Sequence, residues 1–252
     1  MRIRMARVVA LCSLVVLVVP WTPATAVEGT EANFAGAVAS EAVRPPWGPL
    51  NSPIRPGSQF GDSCTYNWVF NDQASTSVYI GTAAHCTEAV GERASLGGFG
   101  QIGTVVYDSD VVGSDVDFSL IQIDGHLVGQ TNPTMRGFAG PVGAVSPNAL
   151  ERGDIVDVYG YGIGVGLREE TRARQGVLVN WTQNEYVADM PAVNGDSGAP
   201  LLHDETGRAL GIISRYGFSA VPPSTDVGPM MPWIMSELAK AGFGHVRLAT
   251  TT

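Results

Sequence analysis

His85, Asp117 and Ser197 place an imidazole, a carboxylate and a hydroxyl in distinctive local settings along the chain. His85 stands in Thr82-Ala83-Ala84-His85-Cys86, directly after an apolar stretch. Asp117 opens the alternating segment Asp117-Phe118-Ser119-Leu120-Ile121. Ser197 lies in Gly195-Asp196-Ser197-Gly198-Ala199-Pro200. An imidazole, a carboxylate and a hydroxyl are the parts of serine nucleophilic catalysis. A hydroxyl is a poor nucleophile, so an imidazole must take its proton, and a carboxylate must hold that imidazole in one tautomer. Two backbone N–H groups must then face the developing oxyanion. A glycine two residues before the serine lets the chain turn both amides the same way, and one after it clears space for substrate. Asp108, Asp110 and Asp115 compete with Asp117, but only Asp117 is followed by a strand-like run.

The elements that must position these residues read as strands. Short apolar runs at 65–70, 77–81, 101–107, 118–123, 155–160, 175–180, 186–190, 199–202 and 209–214 are bounded by Gly, Asp, Asn and Pro. That is the pattern of an all-β barrel or sandwich. Residues 130–153 are richer in turn formers and suit a connection between two halves. One helix is expected, over 232–241. Pro232 suits its first turn and Gly242 its stop. The chain has 252 residues, 44% of them hydrophobic and 15% charged, with 31 Gly and 16 Pro. This excludes a coiled coil and leaves room for one large β domain. With 15 basic against 24 acidic residues, a nucleic-acid surface is not expected. No phosphate loop, dinucleotide fingerprint or metal-ligand cluster is evident, so no cofactor and no metal are expected.

The first 26 residues read as a targeting signal. Arg2, Arg4 and Arg7 precede an apolar run over 8–19, and Ala24-Thr25-Ala26 closes the segment. A basic start, a short apolar centre and a small-residue end make a secretory signal peptide. The apolar run is too short to span a bilayer, so no membrane association of the mature form is expected. Cleavage would take away three of the 15 bases and none of the 24 acids, for a net charge of about −12. It would also leave two cysteines, Cys64 and Cys86, in an oxidising setting. A disulfide is the economical reading, and a metal site the weaker one. Residues 27–57, with five prolines between 45 and 56, read as an irregular arm or pro-segment.

On Thr82-Ala83-Ala84-His85-Cys86 and Gly195-Asp196-Ser197-Gly198-Ala199-Pro200, in that order, the chain resembles the chymotrypsin/trypsin-like serine peptidases of secreted bacterial type. The resemblance implies two six-stranded antiparallel β-barrels packed together, with a C-terminal α-helix. The barrels would span about 58–128 and 150–230, within a domain over 58–252. It implies a general base at His85, an orienting acid at Asp117, a nucleophile at Ser197, and an oxyanion hole from the N–H groups of Gly195 and Ser197. In the family, Cys86 and Cys64 occupy the places of a paired disulfide. Ser214 resembles the serine beside the triad acid, and Arg215 and Tyr216 the wall of the substrate pocket. The pocket floor falls at Pro191, six residues before the serine, so a small or medium apolar substrate side chain is expected. The expected partner is a protein or peptide substrate, bound by a monomer.

Asp196 resembles a buried acid that needs a cation. No arginine occupies 157–159, the place of the internal arginine in bacterial members. A released amine, Arg136 and Arg152 are the candidates. A non-catalytic binding protein on the same scaffold is the alternative function. An α/β-hydrolase is disfavoured, because Ala199 breaks Gly-x-Ser-x-Gly and the acid does not fall between Ser and His.

Overall fold

Residues 47–162, 171–217 and 225–251 are described by a computed structural model. The expected signal segment and residues 27–46 of the expected arm lie outside them. The described chain is built on two antiparallel sheets. The first holds β1 (Gln59–Phe60), β2 (Cys64–Thr65), β3 (Val69–Asp72), β4 (Val78–Thr82), β5 (Arg93–Leu96), β6 (Gly100–Asp108) and β7 (Ser119–Ile123). A short helix, α1 (Ser109–Val112), joins the last two. The second sheet holds β8 (Ile155–Tyr159), β9 (Ala173–Trp181), β10 (Glu185–Asp189), β11 (Pro200–His203), β12 (Arg208–Ile212), β13 (Arg215–Gly217) and β14 (Thr225–Pro229). Helix α2 (Met231–Leu238) follows, and β15 (Val246–Leu248) returns to the edge of the first sheet beside β3.

Each sheet curls around its own apolar core. Ile80, Val105 and Ile121 lie in the first core, and Val158, Leu178 and Leu201 in the second. A third cluster lies between the sheets, where Trp68, Phe70 and Phe118 meet Tyr159, Leu202 and Ile212, with Ile234 and Leu238 of α2 against them. Trp68 Nε1 donates to the Gly211 carbonyl at 3.0 Å, tying the first sheet to the second. Strand β4 is buried along its whole length, paired with β3 on one side and β7 on the other. Such a strand is a rigid base for the residues just past its end.

The all-β class with one C-terminal helix holds, but the strand count differs. The described residues form sheets of eight and seven strands rather than six each. The extra members are short edge pieces. Strand β2 contributes two residues, and β15 and β13 three each. Pro232 lies in the first turn of α2, and the chain leaves the helical region at Gly242, whose φ is +95°. Among the described residues no helix is long and apolar enough to cross a membrane.

Candidate active site

His85 sits in a single helical turn, Ala84–Cys86, immediately after β4. Its Nδ1 faces both oxygens of Asp117, at 3.1 and 3.0 Å, and its backbone N–H donates to Asp117 Oδ1 at 3.2 Å. Asp117 immediately precedes Phe118 and β7, with a left-handed φ of +46°. That conformation is uncommon outside glycine, and here it turns the carboxylate toward the turn that follows β4. The Ser214 hydroxyl donates to Asp117 Oδ2. Burial pushes the Asp117 carboxyl up, but the hydrogen bonds from His85 and Ser214 outweigh it and hold the group below its usual range. The hydrogen bond to Asp117 raises the His85 imidazole above its usual value, burial opposes, and the charges of Asp117 and Asp110 add to the rise.

None of the competing acids accepts a hydrogen bond from the His85 ring. Asp108 caps α1, accepting from the N–H groups of Asp110 and Val111, and also takes the Thr87 hydroxyl at 2.7 Å. Asp110 and Asp115 line the cleft beside His85. His203 is buried and bonded to Asp154 and Thr206.

Ser197 lies in the tight turn that enters β11. Gly195 and Gly198 take φ of +103° and +85°, which glycine alone adopts freely. At Gly198 a Cβ would also stand 2.3 Å from the Thr65 carbonyl, so this position has room for no other residue. Thr65 is the fastener across the sheets. Its N–H donates to the Ser197 carbonyl at 2.9 Å, and its hydroxyl to the Gly195 carbonyl at 2.9 Å. Among the described residues, no acceptor takes the N–H of Gly195 or of Ser197.

Ser197 and His85 line one cleft of about 520 Å³, together with Gly195, Cys64 and Cys86. No hydrogen bond joins the Ser197 hydroxyl to His85. His85 also borders a second cleft of about 700 Å³ on its other side, with Asp117, Ser214 and Arg215. Arg215 is paired with Glu185. Pro191 lines neither of these clefts. Its carbonyl accepts from Arg174 Nη1 at 2.5 Å. Tyr216 lies on β13 opposite Asp226, and its side chain is outside the described residues.

Cys64 and Cys86 form a disulfide with Cα atoms 6.3 Å apart. Their sulfurs and a ring nitrogen of His85 lie within 4.8 Å of one another. Metal sites use cysteine as the thiolate, and sulfurs joined to each other lack that charge, so this trio does not fit a metal.

The cation for Asp196 is Arg174, which sequence reasoning missed. Asp196 is fully buried and receives Arg174 Nη1 at 2.8 Å on one oxygen and Nη2 at 2.7 Å on the other. The N–H groups of Gly162 and Val193 complete its shell, at 2.8 and 2.9 Å. Arg136 bonds instead to Ser58 and the Pro53 carbonyl, and Arg152 is exposed. No local sequence signal marks this arginine. In the β8–β9 hairpin, Val158 pairs with Arg174, so the arginine reaches the expected place from the neighbouring strand.

No protein-family model matches the chain, and no curated protein sequence does. Solved structures do. Protease A of Thermobifida fusca is 20% identical, with a TM-score of 0.55 over 78% of this chain and 98% of that one. The chymotrypsin of Cellulomonas bogoriensis is 17% identical, with a TM-score of 0.53 over 79% and 99%. A Nocardiopsis protease is 18% identical, with a TM-score of 0.54 over 77% and 98%.

Proposed function

We propose that this chain, whose fold is that of the chymotrypsin-like serine peptidases, is a secreted serine endopeptidase. The observation that carries the reading is the hydrogen-bonded series from Ser214 through Asp117 to His85, with Ser197 on the wall of the same cleft as His85. Asp117 fixes the imidazole with its proton on Nδ1, which leaves Nε2 free to accept. His85 takes the Ser197 proton as the hydroxyl oxygen attacks the substrate carbonyl. The carbonyl oxygen becomes an oxyanion, and the unpartnered N–H groups of Gly195 and Ser197 are donors for it. As the peptide C–N bond breaks, the His85 proton passes to the leaving amine and an ester to Ser197 remains. Water, deprotonated by His85, hydrolyses that ester and restores the serine.

The Arg174–Asp196 pair supports this reading by stabilising the turn that holds both N–H groups. It also gives Asp196 a cation, so that residue lends no support to the non-catalytic alternative. Residues 1–26 direct the chain out of the cell, 27–57 form an arm or pro-segment, and the working form is a monomer acting on proteins or peptides. The test is hydrolysis of unfolded casein by the wild type and by Ser197→Ala. The wild type cuts, and the variant loses nearly all turnover while melting normally. Equal activity in both would refute the assignment.

A further inference from the structure

The disulfide lies in the cleft that holds the proposed nucleophile. Cys64 and Cys86 line it together with His85, Gly195 and Ser197, so a small thiol reaches their bond through the open cleft. Each cysteine is also held in place by hydrogen bonds around it. Cys64 stands in β2 opposite Phe60 of β1, and Thr65 beside it donates twice to the Ser197 turn. Cys86 N–H donates to the Ala83 carbonyl at 3.1 Å, and the Thr87 hydroxyl to Asp108 at 2.7 Å. Opening the bond therefore leaves the two sulfurs facing each other beside His85.

While joined, these sulfurs take no metal. As separate thiolates they would meet the needs of zinc. Both sulfurs and a His85 ring nitrogen already lie within 4.8 Å of one another. Zinc sits about 2.3 Å from sulfur and about 2.0–2.1 Å from nitrogen, so tetrahedral ligands stand roughly 3.6–3.8 Å apart. Separating two joined sulfurs moves them toward that spacing. Asp117 holds Nδ1 of the ring, which leaves Nε2 to coordinate. A carboxylate on the other ring nitrogen is the usual outer partner of a zinc-bound histidine, and Asp117 already fills that place. Asp62 and Glu88 line the same cleft, and their negative charge draws a dication. Arg93, also on its wall, is engaged with Asp124.

We propose that reduction of the Cys64–Cys86 bond creates a zinc site, with Cys64, Cys86 and His85 as ligands and water in the fourth position, and that the bound ion switches the peptidase off. A thiol reductant supplies the step. Two of its thiols become a disulfide, and their two electrons and two protons pass to Cys64 and Cys86. Zinc then displaces those protons and is held by two thiolates and Nε2. Nε2 is the atom that must take the Ser197 proton, so a coordinated His85 cannot serve as the base. The regulatory half of the proposal rests on the serine-peptidase reading; the metal site does not. Oxidising surroundings, where the disulfide stands, keep the enzyme active, and reducing ones hold it off.

Cobalt(II) is the coloured probe for this site. Protein reduced with dithiothreitol, then desalted without oxygen, should bind a single cobalt and show a thiolate-to-cobalt charge-transfer band that zinc abolishes. The disulfide form should show none, and reduced Ser197→Ala should match the reduced wild type. His85→Ala keeps both thiols yet should bind at least about 10- to 100-fold more weakly, no less than loss of an outer partner costs. Stoichiometric zinc should stop peptide cleavage by the reduced enzyme but not by the disulfide form, and a chelator should restore it. No band after reduction, equal cobalt affinity with and without His85, or a chain that unfolds on reduction overturns the proposal. So does cleavage that continues with zinc bound, or equal zinc inhibition of the disulfide form. Absence of all peptide cleavage with the cobalt pattern intact would sink the peptidase reading and leave the metal site standing.

Discussion

Replacing Arg174 with methionine removes the only cation that the described residues bring to Asp196. Asp196 is fully buried and the Arg174 side chain is 9% exposed, so solvent cannot take over. Two of the four hydrogen bonds to the carboxylate are lost, leaving the N–H groups of Gly162 and Val193. The Asp226 carboxyl also loses the lowering effect of the Arg174 charge. Breaking a buried pair by removing one partner costs about 3–5 kcal/mol. At about 2–4 °C per kcal/mol for a domain of this size, the melting temperature should fall by about 6–20 °C. Asp196 lies between Gly195 and Ser197, so the loosened turn should lower kcat more than it raises KM. The assay is thermal unfolding of Arg174→Met, Asp196→Asn and the double variant, with kcat and KM measured below the transition. The double variant should be clearly more stable than the sum of the single losses requires. A melting temperature within about 2 °C of the wild type for Arg174→Met, under 1 kcal/mol on the same scale, would refute the reasoning, as would strict additivity.

Three further outcomes are expected. Asp117→Asn should lower kcat by about 10⁴-fold by presenting the wrong imidazole tautomer. Its melting temperature should hold, because asparagine tolerates the left-handed φ of +46°. On a substrate with an uncharged side chain, the rate should fall as pH drops through the His85 pKa. The bond to Asp117 favours the protonated ring, so that midpoint lies above the ordinary 6.5, and a flat rate from pH 5 to 8 would contradict His85 as the base. A chain with a blocked or ragged N-terminus should be fully active, because Arg174 neutralises Asp196. Loss of activity on blocking the amine would contradict this.

What was legible in the sequence was local. His85 and Ser197 stand in short runs where neighbouring residues carry the geometry: the buried strand ahead of one, and the two left-handed glycines around the other. Asp117 could be told from three nearby acids because a strand follows it at once. What was hidden depends on pairing across strands. Arg174 is far from the Gly160-Tyr161-Gly162 turn in sequence, and only the hairpin register sets it beside Val158. Asp226 reads as an ordinary strand acid until its full burial is known, which is a tertiary fact. Strand β15 escaped notice because three residues after a helix are too few to show alternation. The edge of β3 recruits them, with Leu248 opposite Phe70 and Val246 opposite Asp72.

In the proposed mechanism, His85 and Asp117 activate the hydroxyl of Ser197 in the folded chain. Diisopropyl fluorophosphate, followed by peptide mass analysis, tests it most directly. One phosphorylated residue is expected, Ser197, modified far faster than free serine and only slowly in His85→Ala. A folded protein that leaves Ser197 unmodified, or that reacts equally fast without His85, would contradict it.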